Sequence, residues 1–525
     1  MKSLHDQSVL VLGLGDSGLA MARWAARCGA RVTVADTRTE PPQLAALREQ
    51  LPQASFVAGE FNAALVEGTD VRAVFRSPGL APQQVAAVTD AAAACGLPVA
   101  GELGLFAQAL ADLKADLGYA PVVLAVTGTN GKTTVTALAG QLVERAGKSV
   151  AVAGNIGPTL LETLAQKLDQ GELPEVWVIE LSSFQLDGVE GFQPTAAAVL
   201  NVTQDHLDWH GTMAAYAAAK ARIFGSTTLM LLNREDPLVM QMLPPAVRVK
   251  GGKFEQHPYL TFGADLPQRP EDFGIETVNG MAWLVRALEA DETRKKRAAP
   301  ARKLAVPALG RPGDGEWGDE AEEIHIQRLM PADALRIRGR HNAVNALAAL
   351  ALAGAAGCPL GPMLYGLRDY RGEPHRVESV GIVNGIEYFD DSKGTNVGAT
   401  VAALQGLGAE RRLVVILGGA GKGQDFGPLA APVTRHARAV VLIGRDAPLI
   451  RAVLGPTGIT LIQAESMEAA VALATERAHP GDAVLMSPAC ASFDMFRNYP
   501  HRAQVFRAAV QTVADAAGVV LEGQA

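Results

Sequence analysis

Along this chain, short β-branched or aliphatic runs alternate with longer Ala/Leu-rich stretches of helical spacing, and the alternation continues over most of its length. Such a pattern predicts α/β domains built on mostly parallel sheets. Three series separate. The first has strands expected at 8–12, 31–35, 73–75 and 98–101, followed by a polar stretch at 111–120 that reads as a linker. The second has strands expected at 121–126, 149–153, 176–179, 197–201 and 229–232. The third follows a helix starting near Asn342, with strands expected at 386–389, 413–417, 439–443, 459–462 and 483–486. The expected domains are therefore 1–116, 117–337 and 338–525. At about 287–323 a Lys/Arg-rich and then Pro/Gly/acid-rich tract loses all apolar period, which predicts a surface insertion.

Composition narrows the class. With 525 residues and 48% hydrophobic side chains, the chain can fill several cores. A net charge of -8 and a pI near 5.8 leave no basic footprint for nucleic acid, so any phosphate site must be local. Cys28, Cys95, Cys358 and Cys490 form no C-x-x-C pair, which fits a reducing compartment and buried free thiols. Asp16 interrupts the first apolar segment, so no signal peptide is expected. The apolar helix at 343–356 is shorter than the roughly 20 residues that span a bilayer. It is expected to be buried, and the protein to be cytoplasmic without membrane insertion.

The strongest chemical signal is an apolar strand, then TGTNGKTT (127–134), then an Ala/Leu-rich helix. This order wraps the N–H groups of Gly128, Thr129, Asn130, Gly131, Thr133 and Thr134, together with Lys132, around a polyphosphate. Val126 stands where the strict G-x-x-x-x-G-K-[ST] pattern needs its first glycine, so the loop is a variant form. A plain turn with a chance Gly-Lys-Thr is the alternative. The next strand ends at Glu180 and a later one runs into NVTQDHLDWH, so Glu180, Asp205 and His206 reach the carboxyl edge where doubly wound sheets bind ligands. Each alone would read as a solvated strand end; together with Lys132 they predict a phosphoryl-transfer site with Mg²⁺. In the first series, Gly13, Gly15 and Gly18 follow a strand as G-x-G-x-x-G and Asp36 ends the next strand, a weak dinucleotide signature by itself.

GTNGKTT, GNIG (154–157), ELSSFQL (180–186) and NVTQDHLDWH, in this order, resemble the ATPase domain of the Mur ligase superfamily. The resemblance covers nearly all the chain except about 287–323. It implies a Rossmann-like N-terminal domain for a UDP substrate, a central P-loop-type ATPase domain and a Rossmann-like C-terminal domain for an amino acid. It further implies that Thr133 and Glu180 bind one Mg²⁺, that His206 helps bind another, and that Asn155 contacts the muramoyl region. Lys220, in YAAAKARIF, matches a lysine carbamylated by CO₂ to become a metal ligand; an unmodified helix-surface lysine is the alternative. Arg340, opening GRHNAVNALAALALA, and Asp391 match residues on the nucleotide side, helix-start packing being the alternative for Arg340.

DDSKGTN (390–396) resembles the branch of the family that adds D-glutamate. On that resemblance Lys393, Thr395, Lys422 and Ser492 would hold the incoming glutamate, joined by Tyr499 where many members carry Phe. The UDP part would fall to Asp16, Ser17, Asp36, Thr37, Arg38 and Gly79, in place of a free dinucleotide. The implied enzyme is an ATP-dependent ligase in peptidoglycan precursor synthesis, with ATP and Mg²⁺, acting on UDP-N-acetylmuramoyl-L-alanine and D-glutamate as a monomer. Lys132, His206 and Lys220 would carry the catalysis, although His206 as a metal ligand is a poor proton acceptor. The rival readings are another Mur ligase or a folylpolyglutamate synthetase-like ligase, and, from a different class, a non-catalytic nucleotide-binding protein.

Overall fold

A computed structural model describes residues 4–248, 254–289, 324–409 and 411–521. The first sheet contains β1 (Ser8–Leu12), β2 (Arg31–Asp36), β3 (Ser55–Ala58), β4 (Val71–Arg76) and β5 (Val99–Ala100), all parallel, in the order β3-β2-β1-β4-β5. β3 escaped the sequence pattern because it is an edge strand with three of its four residues exposed, so its apolar alternation is weak.

The central sheet has nine strands. β6 (Val122–Thr127) lies between β8 (Val176–Glu180) and β9 (Ala196–Val199), with β7 (Val150–Gly154) at one edge and β10 (Leu229–Asn233) beyond β9. Every residue of β8 and β9 is buried, the signature of parallel strands covered on both faces. After the antiparallel pair β11 (Val247–Arg248) and β12 (Phe254–Glu255), the sheet continues through β13 (Tyr259–Phe262), β14 (Phe273–Val278), β15 (Met281–Glu289) and β16 (Ile324–Pro331). The last two pairings are antiparallel. The tract expected at 287–323 thus begins inside β15, where Ala287 is buried, and its residues 290–323 lie outside the described residues.

In the third sheet β17 (Glu378–Val383) pairs antiparallel with β18 (Ile386–Asp390), and the remaining strands β19 (Leu413–Gly418), β20 (Ala437–Ile443), β21 (Thr460–Gln463) and β22 (Ala483–Met486) are parallel, in the order β17-β18-β22-β19-β20-β21.

Two segments differ from expectation. The stretch at 111–120 is not a linker through most of its length, because the helix Glu102–Leu117 continues to Leu117; Leu105, Phe106, Ala109 and Leu113 form its buried face while Asp112, Lys114 and Asp116 face outward. The helix Arg340–Ala355 was expected to open the third domain, but its Ala/Leu surface is buried in one core with β6, β9, β14 and the helix Lys132–Arg145. Leu367 and Tyr370, from the next helix and its end, join that core. The third sheet has two cores of its own, whereas the first and central sheets share one, in which Phe106 meets Trp177 edge-on with ring centroids 5.0 Å apart.

Candidate active site

The loop after β6 is held from both sides. Asn201, following β9, accepts the N–H of Asn130 at 2.8 Å through its side chain and that of Thr129 at 2.9 Å through its carbonyl, and returns a bond to the Asn130 carbonyl at 3.1 Å. Gly131 has φ +84°, strained for any residue with a Cβ, and a Cβ there would stand 2.7 Å from the Asn345 amide oxygen, so a substitution strains the loop and displaces that amide. Lys132 folds back over the loop, donating to the carbonyls of Gly128 and Thr129 at 2.9 Å each. The Lys220 ammonium also reaches the Gly128 carbonyl, at 2.9 Å, and lies 4.5 Å from the Tyr216 ring centroid.

Two lysines on one carbonyl is an unusual electrostatic arrangement. Burial pushes Lys220 well below the ordinary lysine range, Lys132 pushes it further, and Asp205 only partly opposes this. Burial also lowers Lys132, against the raising charges of Glu180 and Asp205. Glu180 accepts from the Asn155 side chain at 2.8 Å with one oxygen; its other oxygen is buried without a hydrogen-bond partner, the condition of a carboxylate that suits a cation. His206 sits at φ +53°, 3.6 Å from Asp205 Oδ2 and edge-on to Phe184, its pKa lowered first by burial and, among its neighbours, by Lys132, Lys422 and Lys220.

The third domain closes onto this loop. Asn396 caps the helix Val397–Gly408, exchanges amide hydrogen bonds with Asn130 at 3.2 and 3.3 Å, and donates to Asp205 at 3.1 Å. Arg376 donates to the Thr133 hydroxyl at 2.5 Å. It stands between His375 at φ +64° and Val377 at φ +49°, a left-handed pair that is costly for a β-branched residue and aims the guanidinium across the domain boundary. His375 Nδ1 bonds Asp390 at 2.7 Å, and Arg507 pairs with Glu378 and Asp390, so this segment is braced from β17, β18 and the helix Tyr499–Ala516.

Lys393 lies 5.7 Å from the Tyr499 ring centroid; burial and then Arg376 bring its pKa down to about 8, while Glu180 opposes. Burial raises Asp391 to about 7, against a 2.7 Å hydrogen bond from Ser487. Thr395 turns back on Lys393 through its N–H, Ser492 is buried, and Lys422 is exposed at φ +53°. Buried Arg502 donates to the carbonyls of Ser392 at 2.7 Å and Cys490 at 3.0 Å, tying together the loops that carry Lys393 and Ser492.

In the first domain Gly13 has φ +84°, and a Cβ on Gly18 would stand 2.0 Å from the Gly13 carbonyl oxygen, whereas nothing approaches the Gly15 position within 4 Å. The loop is therefore tight at two glycines and open at the third. Asp36 accepts from Leu14 N–H at 2.7 Å and from the Arg38 fork at 2.8 Å; burial would raise its pKa, but these bonds outweigh it and hold it at about 2. Asp16 accepts from Gln43, and Thr37 and Gly79 are exposed at the same end of the sheet.

Family models match the chain in order: the MurD-like N-terminal domain of Mur ligases over 7–101, the Mur ligase middle domain over 126–275 and the Mur ligase glutamate ligase domain over 375–490. A protein of Albidiferax ferrireducens named UDP-N-acetylmuramoylalanine--D-glutamate ligase is 70% identical over 525 residues, covering 100% of both chains. The chain belongs to the Mur ligase family. A protein of the same name from Burkholderia pseudomallei is 56% identical over 98% of each Mur ligase chain. Among solved structures, the Thermotoga maritima MurF ligase in complex with ADP superposes with a TM-score of 0.53 at 14% identity, covering 98% of this chain and 97% of that one. The UDP-N-acetylmuramate-alanine ligase MurC of the same organism gives 0.52 at 20%, covering 96% and 99%. These two share the fold.

Against the Mur ligase expectations, the structure brings Lys132, Thr133, Glu180, His206, Lys220 and Lys393 toward one cleft between the central and third domains. It leaves Arg340 outside. That residue is exposed at the start of its helix and donates to the Ala264 carbonyl at 2.6 Å. The same helix instead turns Asn342 and Asn345 inward, bonded to each other at 3.1 Å, with Asn345 against Gly131. Two polar residues at i and i+3 in an otherwise Ala/Leu face were the available sequence signal. Arg376, which no motif marked, takes the position facing the loop.

Proposed function

We propose that this Mur ligase joins D-glutamate to UDP-N-acetylmuramoyl-L-alanine, converting ATP to ADP and phosphate. The 70% identity over the whole chain to a relative bearing that name carries the reading. The proposed sequence begins with the substrate carboxylate attacking the γ-phosphorus of ATP. The bond to the ADP oxygen breaks, leaving an acyl phosphate. Loop N–H groups and Lys132 hold the transferring phosphoryl group, Lys132 exchanging its two carbonyl partners for phosphate oxygens. Arg376 makes the same exchange, from the Thr133 hydroxyl to the phosphate. Asn342 and Asn345 buttress the loop, and Asp391 lies on the nucleotide side.

The D-glutamate amine then attacks the acyl carbon and gives up a proton to solvent, and the tetrahedral adduct loses phosphate to leave the amide. Lys393, Thr395, Lys422, Ser492 and Tyr499 hold the amino acid. Lys393 acts as a compact charge on a carboxylate. Asp16, Ser17, Thr37, Arg38 and Gly79 edge the UDP site, with Asp36 ordering its loop, and Asn155 lies toward the muramoyl end.

The unpartnered Glu180 oxygen, the Thr133 hydroxyl and the His206 ring fit Mg²⁺. When bound, the ion would neutralise phosphate charge. Lys220, whose burial favours the neutral amine, is suited to add CO₂ with loss of a proton, giving a carbamate; a carbamate carbon signal from protein equilibrated with ¹³C-bicarbonate, absent in Lys220→Arg, would support this, and its absence from the unaltered chain would exclude it. The enzyme of this reading is a monomer in the cytoplasm, where ATP and nucleotide-activated sugars occur.

The test is phosphate release from ATP with UDP-N-acetylmuramoyl-L-alanine and each of D-glutamate, L-glutamate, L-lysine and meso-diaminopimelate. Release requiring both the UDP substrate and D-glutamate is expected. Turnover with another amino acid instead would overturn the specificity.

A further inference from the structure

Arg340, excluded from the phosphate-loop site, has a setting of its own. With Arg412, Arg435 and His436 it lines a cleft of about 680 Å³ between the central and third domains. Arg340 opens the helix buried in the central core; the other three come from the start of β19 and the end of the helix Ala430–His436. The domains approach closely beside the cleft: a Cβ on Gly406 would stand 3.2 Å from the Gly339 Cα.

Four residues with cationic or protonatable side chains thus line one concavity, and no described carboxylate residue does. Backbone carbonyls hold three of them in place. Arg340 donates to Ala264 at 2.6 Å, Arg412 to Arg435 at 2.8 Å, and His436 Nδ1 to Gly408 at 2.8 Å. None of the three arginines forms an ion pair among the described residues, so most of their N–H donors remain uncommitted. In a chain of net charge -8, such a concentration is local and not a reflection of overall basicity.

We propose that this cleft is a second anion site, taking a small molecule that carries a diphosphate or triphosphate group. A single carboxylate offers two oxygens, too few to satisfy three arginines, whereas a phosphate chain offers several on each phosphorus. The volume lies in the range of small-ligand sites, about 300–1,000 Å³. Because Arg340 is carried by the helix of the central core and Arg435 by the third domain, the ligand bridges them and favours their closed arrangement. By reciprocity it tightens any ligand of the phosphate loop that prefers the same arrangement.

The probe is inorganic tripolyphosphate, titrated calorimetrically into the full chain in metal-free buffer. The unaltered chain is expected to bind two per chain. Lys132→Ala retains the cleft site, and Arg435→Glu retains the phosphate-loop site while losing at least tenfold in affinity at the cleft. Arg477→Glu, an exposed charge reversal elsewhere on the third domain, binds as the unaltered chain does. Arg435→Gln replaces Arg435→Glu if the latter fails to fold. Two sites surviving in the folded Arg435 variant, or equal weakening in Arg477→Glu, would overturn the proposal.

Discussion

At the scale of single residues the cleft works by crowding like charges around a few acceptors. Removing the Lys132 ammonium leaves loop N–H groups to hold a transferring phosphoryl group alone. Lys132→Ala should therefore lower phosphate release by about a hundredfold to a thousandfold, measured at saturating substrates. Lys393 gives a pH dependence. With its pKa lowered to about 8, it carries its charge below that pH and loses it above. If it binds a glutamate carboxylate, kcat/KM for D-glutamate should fall roughly tenfold per unit above pH 8, while Lys393→Arg, always charged, should show no fall in that range. A flat profile in the unaltered chain would remove Lys393 from carboxylate binding.

Legibility at this scale followed chain locality. Lys132, Glu180 and His206 sit in motifs at strand ends, where a neighbouring strand fixes what the side chain can reach. Arg376 was not readable, because its position depends on two left-handed neighbours and on a domain closing over it. Arg340 was misplaced because its charge was weighed and its helical phase was not.

Among elements, the contact between the helices Arg340–Ala355 and Val397–Gly408 is the seam on which the third domain rests. Gly406 makes it possible: a Cβ there would stand 2.5 Å from His341 Nδ1. Gly406→Ala must displace the His341 ring and ease the helices apart by a few tenths of an ångström at the Gly339 Cα, at a cost of about 1–3 kcal/mol. Thermal unfolding should show the loss, and the KM for ATP should rise because Asn345 rides on the displaced helix against Gly131. Unchanged stability would mean that the seam is more compliant than this spacing implies. The strands in the middle of each sheet were readable as apolar runs. The helix Glu102–Leu117 was missed as a continuation because its outer face is polar, and only the buried row from Leu105 to Leu113 reveals it.

Across the whole molecule the first two domains share a continuous apolar core, whereas the third keeps its own cores and meets the central domain through polar contacts around the cleft and the helix seam at Gly406. A large apolar interface resists relative motion and a polar one permits it. Asn396→Asp retains the helix cap but sets a carboxylate about 3 Å from Asp205, where like charges repel. Small-angle scattering with an ATP analogue and UDP-N-acetylmuramoyl-L-alanine bound should give a larger radius of gyration for this variant than for the unaltered chain. Equal radii would show that closure does not depend on this contact. Which domains share a core was not legible, since identical apolar faces serve for burial within a domain and between domains. Among the described residues no helix is long and apolar enough to cross a membrane.

Among the described residues, the chain leaves the central core after Tyr370, and none from β17 onward re-enters that sheet. A single splice between Tyr370 and Glu378 would therefore exchange the whole module facing the incoming amino acid while leaving the phosphate loop and the UDP end intact. An architecture with one such seam can change its acceptor by recombination in a single event, provided that the donated Arg376 and Asn396 still meet Thr133 and Asn130.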